Sequence, residues 1–149
     1  MAERTPHVLI SVAGYLLMVA ALLALAMTHC LFSRSPVVIG VQVGAAALML
    51  WARVTFGARS FHLGANPTEG GLVTSGPYHY VRHPIYAAVF AFVLAGVLAH
   101  LSGWSVLWLG VALLGVAARM WTEETLLAAR YPDYRDYAAR TKRMIPWLI

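Results

Sequence analysis

The sequence predicts an all-α integral membrane protein: about four transmembrane helices, a polar loop between the second and third, and an amphipathic helix near the C-terminus. Three observations predict it. Hydrophobic residues make up 60% of the 149 and charged residues 11%, against about 25% charged in an ordinary soluble domain. Residues 8–32 and 83–118 contain no Asp, Glu, Lys or Arg. The basic residues gather beside the apolar runs instead of spreading through the chain. A soluble bundle of this length has too little interior to hide so much apolar surface.

Each element follows from length and punctuation. A helix rises about 1.5 Å per residue and the hydrocarbon core is about 30 Å thick, so about 20 residues span it. Residues 8–32 supply the first span. Ala24-Leu25-Ala26 looks like a signal-peptidase site, but the apolar stretch exceeds the roughly 7–15 residues of a signal core. Residues 36–55 supply the second. The run from His83 is too long for one helix, and His100-Leu101-Ser102-Gly103 divides it into an antiparallel hairpin, 84–100 and 103–121. Pro84 suits the first turn of its helix, where a missing N–H costs nothing. The last helix is expected to continue to about Ala129, until Tyr131-Pro132 stops it. Asp133 then reads as the N-cap of a short helix, 134–141, with Tyr134, Tyr137 and Ala138 on one side. That helix is expected to lie in the membrane interface, with Trp147 of the tail dipping back into the boundary. The whole chain, 1–149, reads as one membrane domain.

Orientation follows from the basic residues. Arg4 precedes the first span; Arg53, Arg59 and Arg82 lie between the second and third; Arg119, Arg130, Arg135, Arg140, Lys142 and Arg143 cluster after the fourth. Arg34 alone falls in the first outer loop. Both termini and the central loop are therefore expected on the cytoplasmic side. The net charge of +5 describes a face apposed to anionic headgroups and requires no nucleic acid. The single Cys30 excludes an intrachain disulfide and a multi-cysteine metal site. His79 and His83 have the i, i+4 spacing of a metal-binding face, but Pro84 disfavours helical geometry at His83, and no metal is expected.

Chemistry is expected where an apolar chain keeps charge. Residues 57–82 form a loop rich in Gly, Pro, Ser and Thr, in which 71–74 reads as a short extended approach to the turn at Ser75-Gly76-Pro77. Tyr78, Tyr80, Arg82, His83 and Tyr86 follow. Such residues at an interface are commonly anchors, yet here two prolines and a glycine hold them in a defined, non-helical turn, and their rings could stabilise a cation such as a sulfonium. In the last long helix Arg119, Glu123 and Arg130 share a face. The plain reading of Arg119 and Glu123 is an ion pair anchoring the helix end. Glu124 points about 140° away from Arg119 and reads as a solvated or headgroup-facing acid.

The string Gly71-Leu72-Val73-Thr74-Ser75-Gly76-Pro77-Tyr78 through Arg82-His83-Pro84-Ile85-Tyr86 closely resembles the isoprenylcysteine carboxyl methyltransferase family, which is related to the membrane phosphatidylethanolamine methyltransferases. The resemblance continues through Arg119-Met120-Trp121-Thr122-Glu123-Glu124, Tyr131-Pro132-Asp133-Tyr134-Arg135-Asp136-Tyr137 and Ile145-Pro146. It covers about half of the chain, all after residue 69. It implies an integral membrane enzyme that uses S-adenosylmethionine without a Rossmann domain; the sequence has no Gly-x-Gly-x-x-Gly after a strand pattern. Carried over by motif, the cofactor region is 70–149, with contacts at Gly70, Gly71, Leu72, Val73, Tyr78, His83, Pro84, Ile85, Tyr86 and Glu123. Arg119 matches the acceptor-binding position, and Arg119 with Glu123 forms the catalytic pair. Gly70 replaces a side chain present in relatives. The expected reaction is O-methylation of a carboxylate on a hydrophobic or lipidic acceptor, with an amine or a thiol as other options.

Two rival functions remain at this stage. An NADPH-dependent sterol-type membrane reductase also uses Arg-His-Pro-x-Tyr, but such relatives are longer and carry Asn where Ile85 stands and Arg-Asp-Glu where Thr122-Glu123-Glu124 stands. A non-catalytic membrane scaffold subunit is the other. Ten Arg against one Lys, with abundant Ala, points to a G+C-rich bacterial source, hence a bacterial inner membrane.

Overall fold

The computed structural model describes residues 4–57 and 71–145. Among these described residues five α-helices run in order: α1 (Arg4–Met27), α2 (Pro36–Phe56), α3 (Pro84–Ala99), α4 (Gly103–Arg130) and α5 (Tyr134–Arg140). A 3-10 turn, Gly76–His79, precedes α3. Among the described residues no strand forms, and an isolated bridge pairs Val81 with Lys142. Helices α1, α2 and α4 are long and apolar enough to cross a membrane, whereas α3 is a shorter apolar helix of 16 residues. Large apolar side chains cover the outside, among them Leu9, Leu16, Leu23, Val37, Val43, Leu50, Leu107 and Leu114. That surface suits a molecule whose solvent is hydrocarbon.

The first helix ends five residues earlier than the apolar run suggests. His29 takes a positive φ of 57°. The Cys30 N–H donates to the Leu25 carbonyl and the His29 N–H to the Ala26 carbonyl, the pattern of a Schellman cap. Cys30 then packs beside Leu25 in the core. Apolar character continues through Phe32, but the hydrogen bonds close at the cap. At the hairpin between α3 and α4, Ser102 and Ser105 cap α4 reciprocally.

Two interfaces build the bundle. On α1 the residues Ser11, Gly14, Met18, Ala21 and Leu25 are buried, a three-then-four spacing that makes one straight seam. It meets the seam of α4 at Ala112, Gly115, Arg119, Thr122 and Leu126. The crossing is at Gly14 and Gly115: a Cβ added at Gly115 would sit 2.5 Å from the Gly14 carbonyl oxygen, and one added at Gly14 would sit 2.7 Å from that of Gly115. Small residues at such a crossing let backbones touch. Helices α2 and α3 form the second interface, where Gln42 is buried and donates to the carbonyls of Leu31 (2.8 Å) and Phe92 (3.3 Å). A buried amide in an apolar slab must find partners of this kind.

Gly115→Leu is therefore expected to lower stability by about 1–3 kcal/mol through overpacking. Gly110→Ala, where an added Cβ meets nothing within 4 Å, is expected to be neutral or slightly stabilising. Thermal unfolding of the detergent-purified variants compares them, and equal melting temperatures for the two would contradict the glycine crossing.

Candidate functional site

Chain geometry first brings the polar residues to one end of the bundle. Pro84 occupies the first turn of α3 and His83 precedes it with φ −125° and ψ 59°, outside the helix. The turn at 76–79 is fixed by Gly76, whose φ is +58° and where an added Cβ would stand 2.6 Å from Thr55 Oγ1. Tyr78 is buried in that turn, its ring tilted against Phe56 at 5.5 Å. The C-terminal segment then folds back: the Arg82 N–H donates to the Lys142 carbonyl (2.7 Å) and the His83 N–H to that of Arg143 (2.8 Å). Helix α5 turns its two tyrosines inward, and the Tyr137 hydroxyl donates to the Tyr78 carbonyl at 2.7 Å.

Two polar clusters result. In the first, Arg119 Nε donates to the Tyr86 hydroxyl (2.7 Å), which donates to Glu123 Oε1 (2.5 Å), while Arg119 Nη2 reaches the same carboxylate oxygen at 3.3 Å. The Arg119 guanidinium also lies over the rings of Tyr15 and Tyr86. In the second, Glu124 accepts from Arg82 Nε (3.1 Å) and from Arg143 (3.0 Å), and His83 Nε2 lies 3.2 Å from it. His83 joins the clusters, because its Nδ1 lies 3.6 Å from Glu123 Oε2. Arg82 also donates to the carbonyls of Ala138 and Thr141, stapling the end of α5 to the Arg-His-Pro turn.

The structure thus gathers His83, Tyr86, Arg119 and Glu123 from the sequence-derived site, with Pro84 buried beneath them and Ile85 half-buried. Tyr78 attaches through Tyr137. Gly71, Leu72 and Val73 lie on irregular chain leading into the turn, apart from these hydrogen bonds. Gly70 and Trp147 lie outside the described residues. Two expectations are corrected. Glu124 does diverge from Arg119, but it is not solvated: its face is covered by the Arg82 turn and the returning tail, leaving its side chain 15% exposed. Asp133 stands before α5 without a side-chain cap. The tyrosine face of α5 is buried on protein. Arg130, at the last residue of α4, is exposed.

Sequence reasoning left Glu124, Arg143 and Tyr137 out of the site. The signal available for them was the paired acid opposite a basic tail, but only the return of the chain assigns the partners. Burial, together with the nearby Tyr137 and Glu123, pushes the Tyr78 phenol above its ordinary value, with Arg53 opposing. Burial likewise pushes Tyr137 up to about 12, against the opposing charge of Arg82. Both phenols therefore stay protonated at neutral pH, and Tyr137 remains a donor.

Residues 36–134 match the phospholipid methyltransferase family. The chain belongs to that family of membrane methyltransferases. The match begins at α2, well before the motif segment after residue 69 that carries the resemblance in the sequence, and it leaves α1 outside. The chain is also 38% identical over 79 residues to the cobalt-zinc-cadmium resistance protein CzcN of Cupriavidus metallidurans, covering 52% of this chain and 36% of that protein. It is 36% identical over 87 residues to the nickel-cobalt-cadmium resistance protein NccN of Alcaligenes xylosoxydans xylosoxydans, covering 57% and 39%. These alignments span little more than a third of either relative. No solved structure matches.

Glu124→Gln is expected to loosen the tail, because it leaves Arg82 and Arg143 facing a neutral amide, at a cost of about 1–3 kcal/mol. Arg143→Ala should cost under about 1 kcal/mol, since that side chain is 52% exposed and such pairs are screened. Trypsin cleavage at Arg140 and Lys142 reads the difference; equal protection in both variants would deny Glu124 its role.

Proposed function

We propose that the protein is an S-adenosylmethionine-dependent membrane methyltransferase that O-methylates a carboxylate on a hydrophobic acceptor, in a bacterial inner membrane with both termini cytoplasmic. The observation that carries this reading is the Tyr86–Arg119–Glu123 cluster, a carboxylate and a guanidinium held side by side at one end of an apolar bundle. Family membership supplies the reaction class.

The residues present fit the cofactor. Glu123 keeps acceptor capacity at Oε2, where the contact to His83 is 3.6 Å, and its side chain is 23% exposed. A carboxylate so placed accepts from ammonium or ribose donors. The rings of Tyr78 and Tyr86 suit a cationic ligand, and His83 with the loop backbone at Gly71, Leu72 and Val73 supplies the remaining contacts that the family motif implies. When bound, S-adenosylmethionine supplies an electrophilic methyl group.

Arg119 orients the acceptor carboxylate. Because Glu123 and Tyr86 already share its charge, Arg119 holds an incoming carboxylate without draining the lone pair that must attack. An ionised carboxylate needs no general base, so alignment and exclusion of water are the main tasks. An amine or a thiol would have to lose a proton, and the Glu123 carboxylate is the acceptor beside Arg119. The metal resistance in the relatives' names finds no counterpart in a ligand set here: among the described residues no group of three or more His, Cys, Asp or Glu is placed to hold an ion.

Calorimetric titration of the full chain in detergent with S-adenosylmethionine, S-adenosylhomocysteine and NADPH tests the cofactor. The sulfur cofactors are expected to bind, and Glu123→Ala to weaken them at least about tenfold, as for loss of a charge-assisted hydrogen bond. Binding of NADPH alone would favour the reductase, and binding of neither the scaffold. Tritiated methyl transfer to dodecanoate, dodecylamine and dodecanethiol then sorts the acceptor class; labelling of the amine or thiol but not dodecanoate would overturn the carboxylate assignment.

A further inference from the structure

Helix α1 lies outside the family match, yet it touches Arg119 at successive positions of one face. The Arg119 side chain lies over Gly14, where an added Cβ would stand 3.2 Å from Arg119 Cγ. One turn away on one side, the Ser11 carbonyl accepts from Arg119 Nη1 at 3.4 Å. At the next residue after Gly14, the Tyr15 ring lies 5.3 Å from the centre of the guanidinium. Positions 11, 14 and 15 form one patch of a helix surface, and the Gly14–Gly115 crossing presses that patch onto α4 one turn above Arg119.

We propose that α1 is a working part of the site and that Tyr15 is a positioning residue, fixing Arg119 for the acceptor. The step from positioning to acceptor rests on the methyltransferase reading above; the positioning itself does not. A guanidinium has a donor edge and two flat faces. Tyr86 and Glu123 take donors on the edge directed at α3 and α4, and the Ser11 carbonyl takes another. Those bonds hold the edge, and rings lie against the flat faces, Tyr15 at 5.3 Å and Tyr86 at 6.0 Å. The Tyr15 ring, the one contributed by α1, adds to that hold and favours the charged plane lying parallel to it. The Tyr15 hydroxyl is not needed for this, so Phe should substitute and Leu should not.

The test uses the full chain in detergent as wild type, Tyr15→Phe and Tyr15→Leu. Phenylglyoxal, a small apolar guanidinium reagent, is applied and the adducts at Arg119, Arg82 and Arg135 are counted by mass spectrometry. Exposed Arg135 sets the scale, and Arg82, enclosed by other contacts, reports general loosening. Tyr15→Leu is expected to raise the Arg119 rate about fivefold while the other two stay within about twofold, and Tyr15→Phe to match wild type. In the same preparations the KM for the dodecyl acceptor should rise about fivefold in Tyr15→Leu, with S-adenosylhomocysteine affinity unchanged. An unmoved Arg119 rate, or a rise shared with Arg82, overturns the proposal. If Arg119 is freed but the acceptor KM is unmoved, the link from Tyr15 to the acceptor is overturned. Failure of the wild type to bind S-adenosylhomocysteine sinks the methyltransferase reading instead, and the adduct rates still decide whether Tyr15 holds Arg119.

Discussion

A guanidinium at the edge of an apolar slab is stable only where the protein itself supplies acceptors. Arg82 and Arg119 both meet this constraint, and both meet it through adjacent residues of one helix. Glu123 and Glu124 diverge by about 100° around α4, so one carboxylate faces Arg119 and Tyr86 while its neighbour faces Arg82 and the returning tail. The pair thereby sorts the polar end into two halves. One half keeps a partly exposed carboxylate edge, where the proposed ligand would bind. The other is saturated by Arg82, His83 and Arg143 and holds chain segments together.

The bundle makes the sorting possible. Between helices in lipid there is no hydrophobic drive, so association depends on close contact and on polar bonds. Gly14 against Gly115 provides the first and Gln42 the second. Moving α1 outward by one methyl group would also lift the Ser11 carbonyl and Tyr15 from Arg119, since all belong to the same seam. Packing of α1 on α4 and the setting of the cation are therefore one event, although α1 carries none of the residues by which the family is recognised.

What could be read from the sequence was what depends on local chemistry. Charge-free runs gave the helices, Pro84 and Ser102 gave two of their beginnings, and Arg119 with Glu123 at i, i+4 gave a pair that the structure joins. The end of α1 was misread because apolar residues continue past it, while the stop is a backbone device, a left-handed histidine closing two hydrogen bonds. Glu124 was misread for the opposite reason. Its direction on α4 followed from helical geometry, but its cover comes from residues 82 and 143, far away in sequence. Tyr15 and Ser11 carried no signal, since a tyrosine and a serine in a span look like ordinary packing.

The shortness of α3 ties the tail to the site. Sixteen residues rise about 24 Å, less than the roughly 30 Å of hydrocarbon, whereas the 21 residues of α2 reach about 31 Å. The Arg82-His83 segment lies just outside α3 and takes a non-helical course. Pro84 prevents α3 from extending to cover that gap, because the residue before a proline is driven from helical geometry. Irregular backbone near hydrocarbon is tolerated only when its polar groups are bonded within the protein. The Lys142 and Arg143 carbonyls do this for the Arg82 and His83 N–H groups, and Arg82 in turn holds the carbonyls of Ala138 and Thr141. A turn that must be irregular to present His83 and Tyr86 together thus requires a chain segment to satisfy it, and the C-terminal residues fold back because that requirement exists.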